Sequence, residues 1–134
     1  EQLDNTKTAL EHLENATVET EVQRRALLGA FGLKGSAAHQ TPNTLSGGER
    51  AKLALSMLAA SEANLLILDE PTNNLDPASV EAVGHMFRQW EGTIVVVSHE
   101  PAFIEALEPT HCLRLPDERY DHWREEDLDH VAMR

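Results

Sequence analysis

The sequence predicts an α/β fold, in which a parallel sheet with flanking helices lies beside a helical subdomain. Two observations lead to this prediction. Residues 65–115 alternate strand, helix, strand, helix and strand, the order that right-handed crossovers in a parallel sheet produce. Residues 3–33 instead place apolar side chains near helical spacing, as in the pair Leu10 and Leu13. We therefore expect helices first and a sheet second.

The composition is ordinary for a globular domain. The chain has 134 residues, of which 41% are hydrophobic, and its apolar runs fall far short of the roughly 20 residues that cross a bilayer, so we expect no membrane segment. A single cysteine, Cys112, leaves no internal disulfide and favours a reducing, cytoplasmic location. The formal net charge of -12 repels phosphate backbones, which argues against direct nucleic-acid contact by this segment.

Capping signals place the first helices. Thr17, or alternatively Thr20, suits the N-cap of a second helix, which Gly29 weakens and Gly32 ends. A loop is expected over residues 34–44, where glycine, serine, proline and asparagine are frequent.

The next helix begins at Ser46. Glu49 lies three residues later, so the two side chains predict a capping box. Residues 51–60 contain no glycine or proline and carry apolar side chains on nearly all sides. This pattern predicts a buried helix.

A four-residue apolar run at 65–68 predicts a strand that is buried on both faces. Asp69 and Glu70 follow it, at the carboxyl end where open α/β sheets bind ligands. Asp76 then caps a helix that Gly92 ends. One face of that helix is apolar and consists of Val80, Val83, Phe87 and Trp90.

The β-branched residues 93–97 predict a second buried strand, which leads to Ser98 and His99. A short helix is expected near residues 102–107, and a weaker third strand over 111–115. The charged residues after 115 are expected to form a surface helix or tail. The predicted divisions are a helical subdomain at 1–60, a sheet-bearing half at 61–116 and a charged tail or helix at 117–134.

Gly47 and Gly48 stand at a helix start, where glycine costs roughly 0.8 to 1.0 kcal/mol each relative to alanine. Without side chains, their backbone N–H groups approach an anion closely, and the helix dipole favours negative charge there. Phosphate binding is one interpretation, and an ordinary capping box is the other.

Asp69 and Glu70 are adjacent on an extended chain, so their side chains point in different directions and are suited to different tasks. In phosphoryl transfer one carboxylate holds Mg²⁺ while another group orients or deprotonates the attacking water. Asp69 suits the metal and Glu70 the water. His99, after the next strand, is placed to stand beside Glu70 and donate to a terminal phosphate, although a structural role is the alternative.

Three motifs occur in order: Leu-Ser-Gly-Gly-Glu at 45–49, Leu-Leu-Ile-Leu-Asp-Glu-Pro-Thr-Asn-Asn-Leu-Asp at 65–76, and Ile-Val-Val-Val-Ser-His at 94–99. Together they resemble the ATP-binding cassette (ABC) family. The resemblance implies a partial P-loop NTPase-like cassette, with the signature subdomain at 1–60 and the Walker B half of the ATPase core at 61–116. It also implies ATP and Mg²⁺ as cofactors.

The resemblance implies a role for each motif. Asp69 would be the Walker B ligand of Mg²⁺, Glu70 the catalytic base and His99 the switch histidine. The signature motif would cap the γ-phosphate of an ATP held by a second cassette, and the D-loop would cross to that cassette. These two motifs supply Leu45, Ser46, Gly47, Gly48, Glu49, Asn74, Leu75 and Asp76.

Pro-Thr-Asn-Asn-Leu-Asp at 71–76 and Ser-His-Glu-Pro-Ala-Phe-Ile at 98–104 look most like the ABC-F branch. Its members are soluble proteins with two tandem cassettes that act on the ribosome in translation or antibiotic resistance. The implied partners are therefore a second cassette, in the same parent chain or a dimer, and the ribosome through the parent protein. Asn74 and Glu100-Pro101 depart from the usual ABC-F residues.

Other classes remain open from the sequence. The chain could belong to the nucleotide-binding subunit of a transporter, to a chromosome-maintenance ATPase, or to a non-enzymatic module that keeps the shape. The turn at 71–76 is unlike that of the chromosome-maintenance proteins. Glu70 and His99 argue against a non-enzymatic module, because such a module needs neither.

No Gly-x-x-x-x-Gly-Lys-Ser/Thr loop occurs in the sequence, so the Walker A phosphate cradle is absent. Gln2 is a candidate for the family's Q-loop glutamine. We therefore predict that this chain alone binds ATP weakly and does not turn it over. We also expect strand edges and apolar faces of the 65–68 strand to be exposed unless a partner covers them.

Two further expectations concern aromatic and histidine side chains. Trp90 and Trp123 are expected to pack in the core rather than stack on a nucleotide. The histidines outside the motifs lack the sequence spacing of metal ligands. They are His12, His39, His85, His111, His122 and His130.

Overall fold

The computed structural model describes residues 3–16, 20–116 and 118–132. Six α-helices and four β-strands follow one another in the described residues. They are α1 (Ala9–Ala16), α2 (Glu21–Ala30), α3 (Gly47–Ala60), β1 (Leu65–Asp69), α4 (Pro77–Arg88), β2 (Thr93–Val97), α5 (Pro101–Leu107), β3 (His111–Arg114), β4 (Arg119–His122) and α6 (Leu128–Ala132). Short 3₁₀ turns lie at Gly35–His39, Pro42–Thr44 and Glu125–Asp127.

The amino-terminal helices form as their capping residues predict. Thr20 caps α2, and its capping box with Gln23 is complete. Thr20 is thus the alternative of the two predicted caps, and Thr17, the first candidate, and Gln2 lie outside the described residues. Gly32 follows the end of α2 with a φ of 85°, a backbone conformation that glycine adopts without strain. The predicted loop at 34–44 contains the first two 3₁₀ turns.

Helices α1, α2 and α3 surround a closed apolar cluster, which we call the helical core. Its buried members are Ala9, Leu13, Leu28, Leu33, Ala38, Leu45 and Leu53. The prediction that α3 is buried on nearly all sides is wrong for one face, because Leu58 is 39% exposed. That face turns away from the core, and the buried face carries Leu53, Leu55 and Ser56.

Strands β1 and β2 pair in parallel, from Leu65 opposite Thr93 to Asp69 opposite Val97. Their inner face, with Leu66 and Leu68, packs in a second cluster, the sheet core. Helices α4 and α5 supply most of the other buried members of the sheet core, including Val80, Val83, Phe87, Phe103, Ile104 and Leu107. Trp90 and Trp123 also pack against it, which confirms their predicted role.

The prediction that β1 is buried on both faces is wrong. Leu66 and Leu68 are buried, but Leu65 is 51% exposed and Ile67 72% exposed. Helices α4 and α5 pack on the inner face of the sheet in the described part of the chain, with Phe31 and Leu55 also in that cluster. The separate expectation that an apolar face of this strand is exposed is confirmed.

The predicted third parallel strand is also wrong. β3 pairs with β4 in antiparallel fashion, as a separate two-stranded sheet. β4 lies in the segment expected to be a surface helix or tail, which also contains α6. Its sequence, Arg-Tyr-Asp-His, lacks the alternation of apolar and polar residues that would predict a strand.

Two local features fix how the later elements pack. Gly84 in α4 lies against α5, because a Cβ at this position would come within 2.6 Å of the Ala106 Cβ. Asp127 is 3% exposed and accepts hydrogen bonds from the Arg114 guanidinium and from the Arg124 N–H. This buried carboxylate ties the end of the β3–β4 hairpin to the segment that leads into α6.

No helix in the described residues is long and apolar enough to span a membrane.

Candidate functional site

The candidate site lies at the carboxyl ends of β1 and β2. Asp69 is the last residue of β1, and Glu70 follows with its N–H donating to the Val97 carbonyl at 2.8 Å. Because the two strands are parallel, the residues that follow β2 reach the same edge of the sheet. This geometry brings His99 beside Glu70.

Glu70 and His99 form a close pair. The Nδ1 atom of His99 lies 2.7 Å from Oε2 of Glu70, and the His99 backbone N–H donates to the same oxygen at 3.3 Å. The carboxylate is mostly buried, with 18% of its side chain exposed, whereas the imidazole is 47% exposed. The expectation that His99 stands beside Glu70 is therefore confirmed.

The contact sets what the imidazole can do. With Nδ1–H donating to the carboxylate, the neutral ring offers Nε2 only as an acceptor. The ring must be protonated to donate from Nε2 as well. His99 thus has one nitrogen held by Glu70 and a second able to face a ligand.

Glu70 has an unusual backbone. Its φ of 46° lies in the left-handed region, which few residues other than glycine adopt. The chain therefore turns sharply directly after Asp69. Asp69 itself is exposed at the strand end, and a carboxylate oxygen is the donor that Mg²⁺ takes in proteins. The donor chemistry at this edge fits a magnesium ion.

A second candidate segment is the amino terminus of α3. Ser46 and Glu49 form the predicted capping box: the Glu49 N–H donates to Ser46 Oγ at 3.1 Å, and the Ser46 N–H donates to Glu49 Oε2 at 2.8 Å. Hydrogen bonds to its carboxylate, from the Ser46 N–H foremost and then from the Ser46 side chain, lower the pKa of Glu49. Its carboxylate is therefore engaged in the cap. Leu45, by contrast, is buried in the helical core.

Gly47 and Gly48 occupy the first turn of α3, where backbone N–H groups have no intrahelical acceptor. A Cβ at Gly48 would lie 3.0 Å from the carbonyl oxygen of Asn74. The turn that carries Asn74, whose φ is 79°, thus passes directly against the start of α3. The structure brings these two predicted segments together.

Asp76 caps α4, as predicted. It accepts hydrogen bonds from the Ser79 hydroxyl at 2.5 Å and the Ser79 N–H at 3.1 Å, and these bonds lower its pKa. Lys52 Nζ lies 3.5 Å from Asp76 Oδ1 and lowers that pKa further. Leu75, between Asn74 and Asp76, is partly buried against the sheet core.

Sequence reasoning missed Lys52. Its side chain is only 14% exposed and joins the first turns of α3 to the cap of α4. The one available signal was its position four residues after Gly48, which places it one turn along the same helix. That position gives no hint that Asp76, 24 residues later, is the partner.

Comparison with known proteins gives a consistent result. A family model described as "ABC transporter" matches residues 1–73. The chain is 42% identical over 96 residues to the erythromycin resistance ATP-binding protein MsrA of Staphylococcus epidermidis, covering 72% of this chain and 20% of that protein. It is 32% identical to the energy-dependent translational throttle protein EttA of Haemophilus influenzae, covering 97% of this chain and 26% of EttA.

A third relative is the ATP-binding cassette sub-family F member 3 of Rattus norvegicus, 38% identical over 80% of this chain and 15% of that protein. Among solved structures, the fold matches the dimeric bacterial ABC transporter cassette MJ0796 with a TM-score of 0.73 and 24% identity, over 92% of this chain and 60% of that one.

This chain thus spans at most about a quarter of these curated relatives. Its matches in both sequence and fold are to ATP-binding cassettes. The chain belongs to the ATP-binding cassette family and is of the ABC-F type.

Proposed function

We propose that this chain supplies the signature and Walker B parts of an ABC-F cassette, whose parent protein hydrolyses ATP at an interface between two cassettes to act on the ribosome. The observation that carries the proposal is the Glu70–His99 pair at 2.7 Å, one residue beyond Asp69 at the same strand end. A carboxylate held by an imidazole beside a metal-binding carboxylate is suited to activate water.

In this proposal Asp69 would hold Mg²⁺, and the ion would supply positive charge to the phosphates. Glu70 orients the attacking water and accepts its proton. His99 keeps the Glu70 carboxylate in position through Nδ1 and directs Nε2 toward the terminal phosphate. The partial burial of Glu70 favours this role, because it restricts the carboxylate to one orientation.

The signature and D-loop residues serve a second ATP in this proposal. The N–H groups of Gly47 and Gly48 would face the γ-phosphate of an ATP held by the partner cassette. Ser46 and Glu49 keep that helix start formed, and the turn through Asn74 lies against it. The cassette MJ0796 has been described as a dimer and in a post-hydrolysis state with ADP and phosphate, which supports such an arrangement.

Action on the ribosome, and with it a cytoplasmic location, rests on the relatives. EttA is named as a translational throttle and MsrA as an erythromycin resistance protein. Translation regulation and antibiotic resistance are therefore the two proposed outcomes. Because this segment has a net charge of -12, we propose that other parts of the parent contact ribosomal RNA.

The test is Glu70→Gln in the intact parent protein. We expect at least about a 100-fold loss of ATP turnover, because a general base is removed, while ATP binding persists because Asp69 remains. Turnover is measured by phosphate release and binding by a labelled nucleotide. Glu81→Gln, an exposed residue of α4, is the matched control and leaves turnover unchanged. Unchanged turnover in Glu70→Gln contradicts the proposal.

The isolated 134-residue chain gives a second readout. We expect no steady hydrolysis from it, because it has no Walker A loop. Steady hydrolysis that disappears in Glu70→Gln would show that the chain needs no further phosphate-binding loop.

A further inference from the structure

The β3–β4 hairpin carries two histidines that face each other across the strands. His111 and His122 are direct partners in the antiparallel register. Their ring centroids are 4.5 Å apart, with planes inclined by 36°, and both residues are exposed. They are eleven positions apart in sequence, which is why their spacing along the chain does not resemble that of metal ligands.

The hydrogen-bond pattern of the hairpin explains why the two rings are so close. The Trp123 N–H donates to the Thr110 carbonyl at 2.9 Å, so residues 110 and 123 form a hydrogen-bonded pair. In an antiparallel ladder such pairs alternate with non-hydrogen-bonded pairs, whose Cα atoms are only about 4.5 Å apart. His111 and His122 are the next pair along, and thus occupy the position where facing side chains approach most closely.

Neighbouring side chains hold the His111 ring. The Tyr120 ring stacks on it, with centroids 5.3 Å apart and planes within 2° of parallel. Its Nδ1 lies 3.0 Å from the Thr110 hydroxyl. When Nδ1–H donates to that hydroxyl, the lone pair is on Nε2, which can then bind a metal ion. The Tyr120 ring and the Thr110 hydroxyl thus both contact the His111 ring.

We propose that His111 and His122 form a two-histidine site for a borderline transition-metal cation such as Zn²⁺ or Ni²⁺. Imidazole nitrogens lie about 2.0 to 2.1 Å from Zn²⁺, so two ligands in tetrahedral geometry are about 3.3 Å apart. The ring centroids are 4.5 Å apart in the structure, and rotation about the side-chain torsions would bring the two binding nitrogens to that separation. Imidazole nitrogen also suits these ions better than Mg²⁺, which prefers oxygen.

The site is open rather than enclosed. No group of three or more histidine, cysteine, aspartate or glutamate side chains placed to hold a metal occurs in residues 3–16, 20–116 and 118–132. The ion would thus take two ligands from the hairpin and the rest from water. Such coordination leaves positions for a donor from another molecule. The site is independent of Asp69, which belongs to the sheet edge at β1.

The test is a titration of the 134-residue chain with ZnCl₂ alone, followed by isothermal titration calorimetry and by NMR of the histidine ring protons. We expect one ion per chain, with the ring signals of His111 and His122 shifting together. His111→Ala and His122→Ala each weaken binding at least about tenfold, because a two-point attachment becomes a single one.

Matched controls separate this pair from the other histidines. His85→Ala and His130→Ala remove exposed histidines elsewhere and leave the affinity unchanged. His99→Ala tests whether the ion instead binds at Glu70. Binding that is lost in His99→Ala, or that survives in both hairpin variants, overturns the proposal. One ion per two chains also overturns it, because the ion would then bridge molecules.

Loss of the hairpin itself would mimic loss of the site. His122→Gln keeps a polar side chain of similar reach and is compared with His122→Ala. Circular dichroism of each variant checks that the fold persists. Weakened binding in both variants with an unchanged spectrum supports the site, whereas full binding by folded His122→Gln contradicts it.

Discussion

The helical core and the sheet core differ in how completely they are covered. Ala9, Leu13, Leu28 and Leu53 in the helical core have no exposed surface. On the outer face of the β1–β2 sheet, Ile67 is 72% exposed, and Leu65, Val95 and Val97 are each about half exposed. The helical part thus closes its core with its own residues, while the sheet closes only one of its two faces.

The difference separates two kinds of apolar residue that look alike in sequence. Leu66 and Ile67 are neighbours in one apolar run, but 4% of the first and 72% of the second is exposed. Period-two alternation in a strand sends them to opposite faces. Four adjacent aliphatic residues therefore indicate a strand with two apolar faces. An exposed apolar face such as the outer one is typical of a surface that another layer of structure covers.

Truncating one side chain in each region tests this comparison, and it should give the largest difference in the free energy of unfolding. We expect Leu53→Ala to lower the free energy of unfolding by about 2 to 5 kcal/mol, because it leaves a cavity in a closed core. Ile67→Ala should change it by less than about 0.5 kcal/mol, since that side chain is already largely in solvent. Urea unfolding followed by circular dichroism measures both. Equal losses would show that the outer face is covered in solution, for example by a second copy.

A smaller effect is expected at the boundary between the two regions, where α3 begins. Ser46→Ala should cost about 1 kcal/mol of unfolding free energy, because the Glu49 N–H loses its capping acceptor. Thr20→Ala, at the equivalent position of α2, serves as the comparison within the helical part, and Ser36→Ala, which caps no helix, as the neutral control. A loss at Thr20 without one at Ser46 would contradict the capping box of α3.

The smallest expected effect is a dependence of the free energy of unfolding on pH. The pKa of Glu49 is lowered by hydrogen bonds from Ser46, and that of Asp76 by hydrogen bonds from Ser79 and by Lys52. Folded-state pKa values below the ordinary ones of about 4 mean that the unfolded chain takes up protons first as the pH falls. The stabilisation from both caps is therefore present above about pH 4 and is lost below it.

Unfolding by urea at a series of pH values measures this loss. Glu49→Gln removes one of the carboxyl groups with a lowered pKa and should make the unfolding free energy fall less steeply at acid pH. Glu81→Gln, an exposed control, leaves the curve unchanged. A Glu49→Gln profile identical to the wild-type profile would contradict the lowered pKa of Glu49.

Local signals allowed the sequence to predict much of the fold. The capping residues Thr20, Ser46 and Asp76 act on N–H groups within three positions, so their effect is visible in a short window of sequence. Parallel pairing was also enough to predict that Glu70 and His99 meet, because two strand ends share one edge.

The features that the sequence did not predict correctly depend on contacts between segments that are distant in the chain. The alternation of strands and helices over residues 65–115 predicts that β3 joins the parallel sheet, and its true partner strand, with Arg119 and Asp121, has no apolar pattern that would reveal the antiparallel pairing. The positive φ of Glu70 and the approach of Asn74 to Gly48 depend on how separate elements dock. The His111–His122 pair likewise follows from strand register, which the spacing of histidines along the chain does not reveal.

The segment of chain that joins Glu70 to His99 is short, and this bears on how the pair can be inherited. The two residues are 29 positions apart and are joined by α4 and β2 alone, so one β–α–β unit contains the whole pair. Exchange of that unit between related genes would transfer both side chains and their relative placement in a single step. Recombination at its two ends is therefore a route by which the pair can move between proteins as one heritable piece.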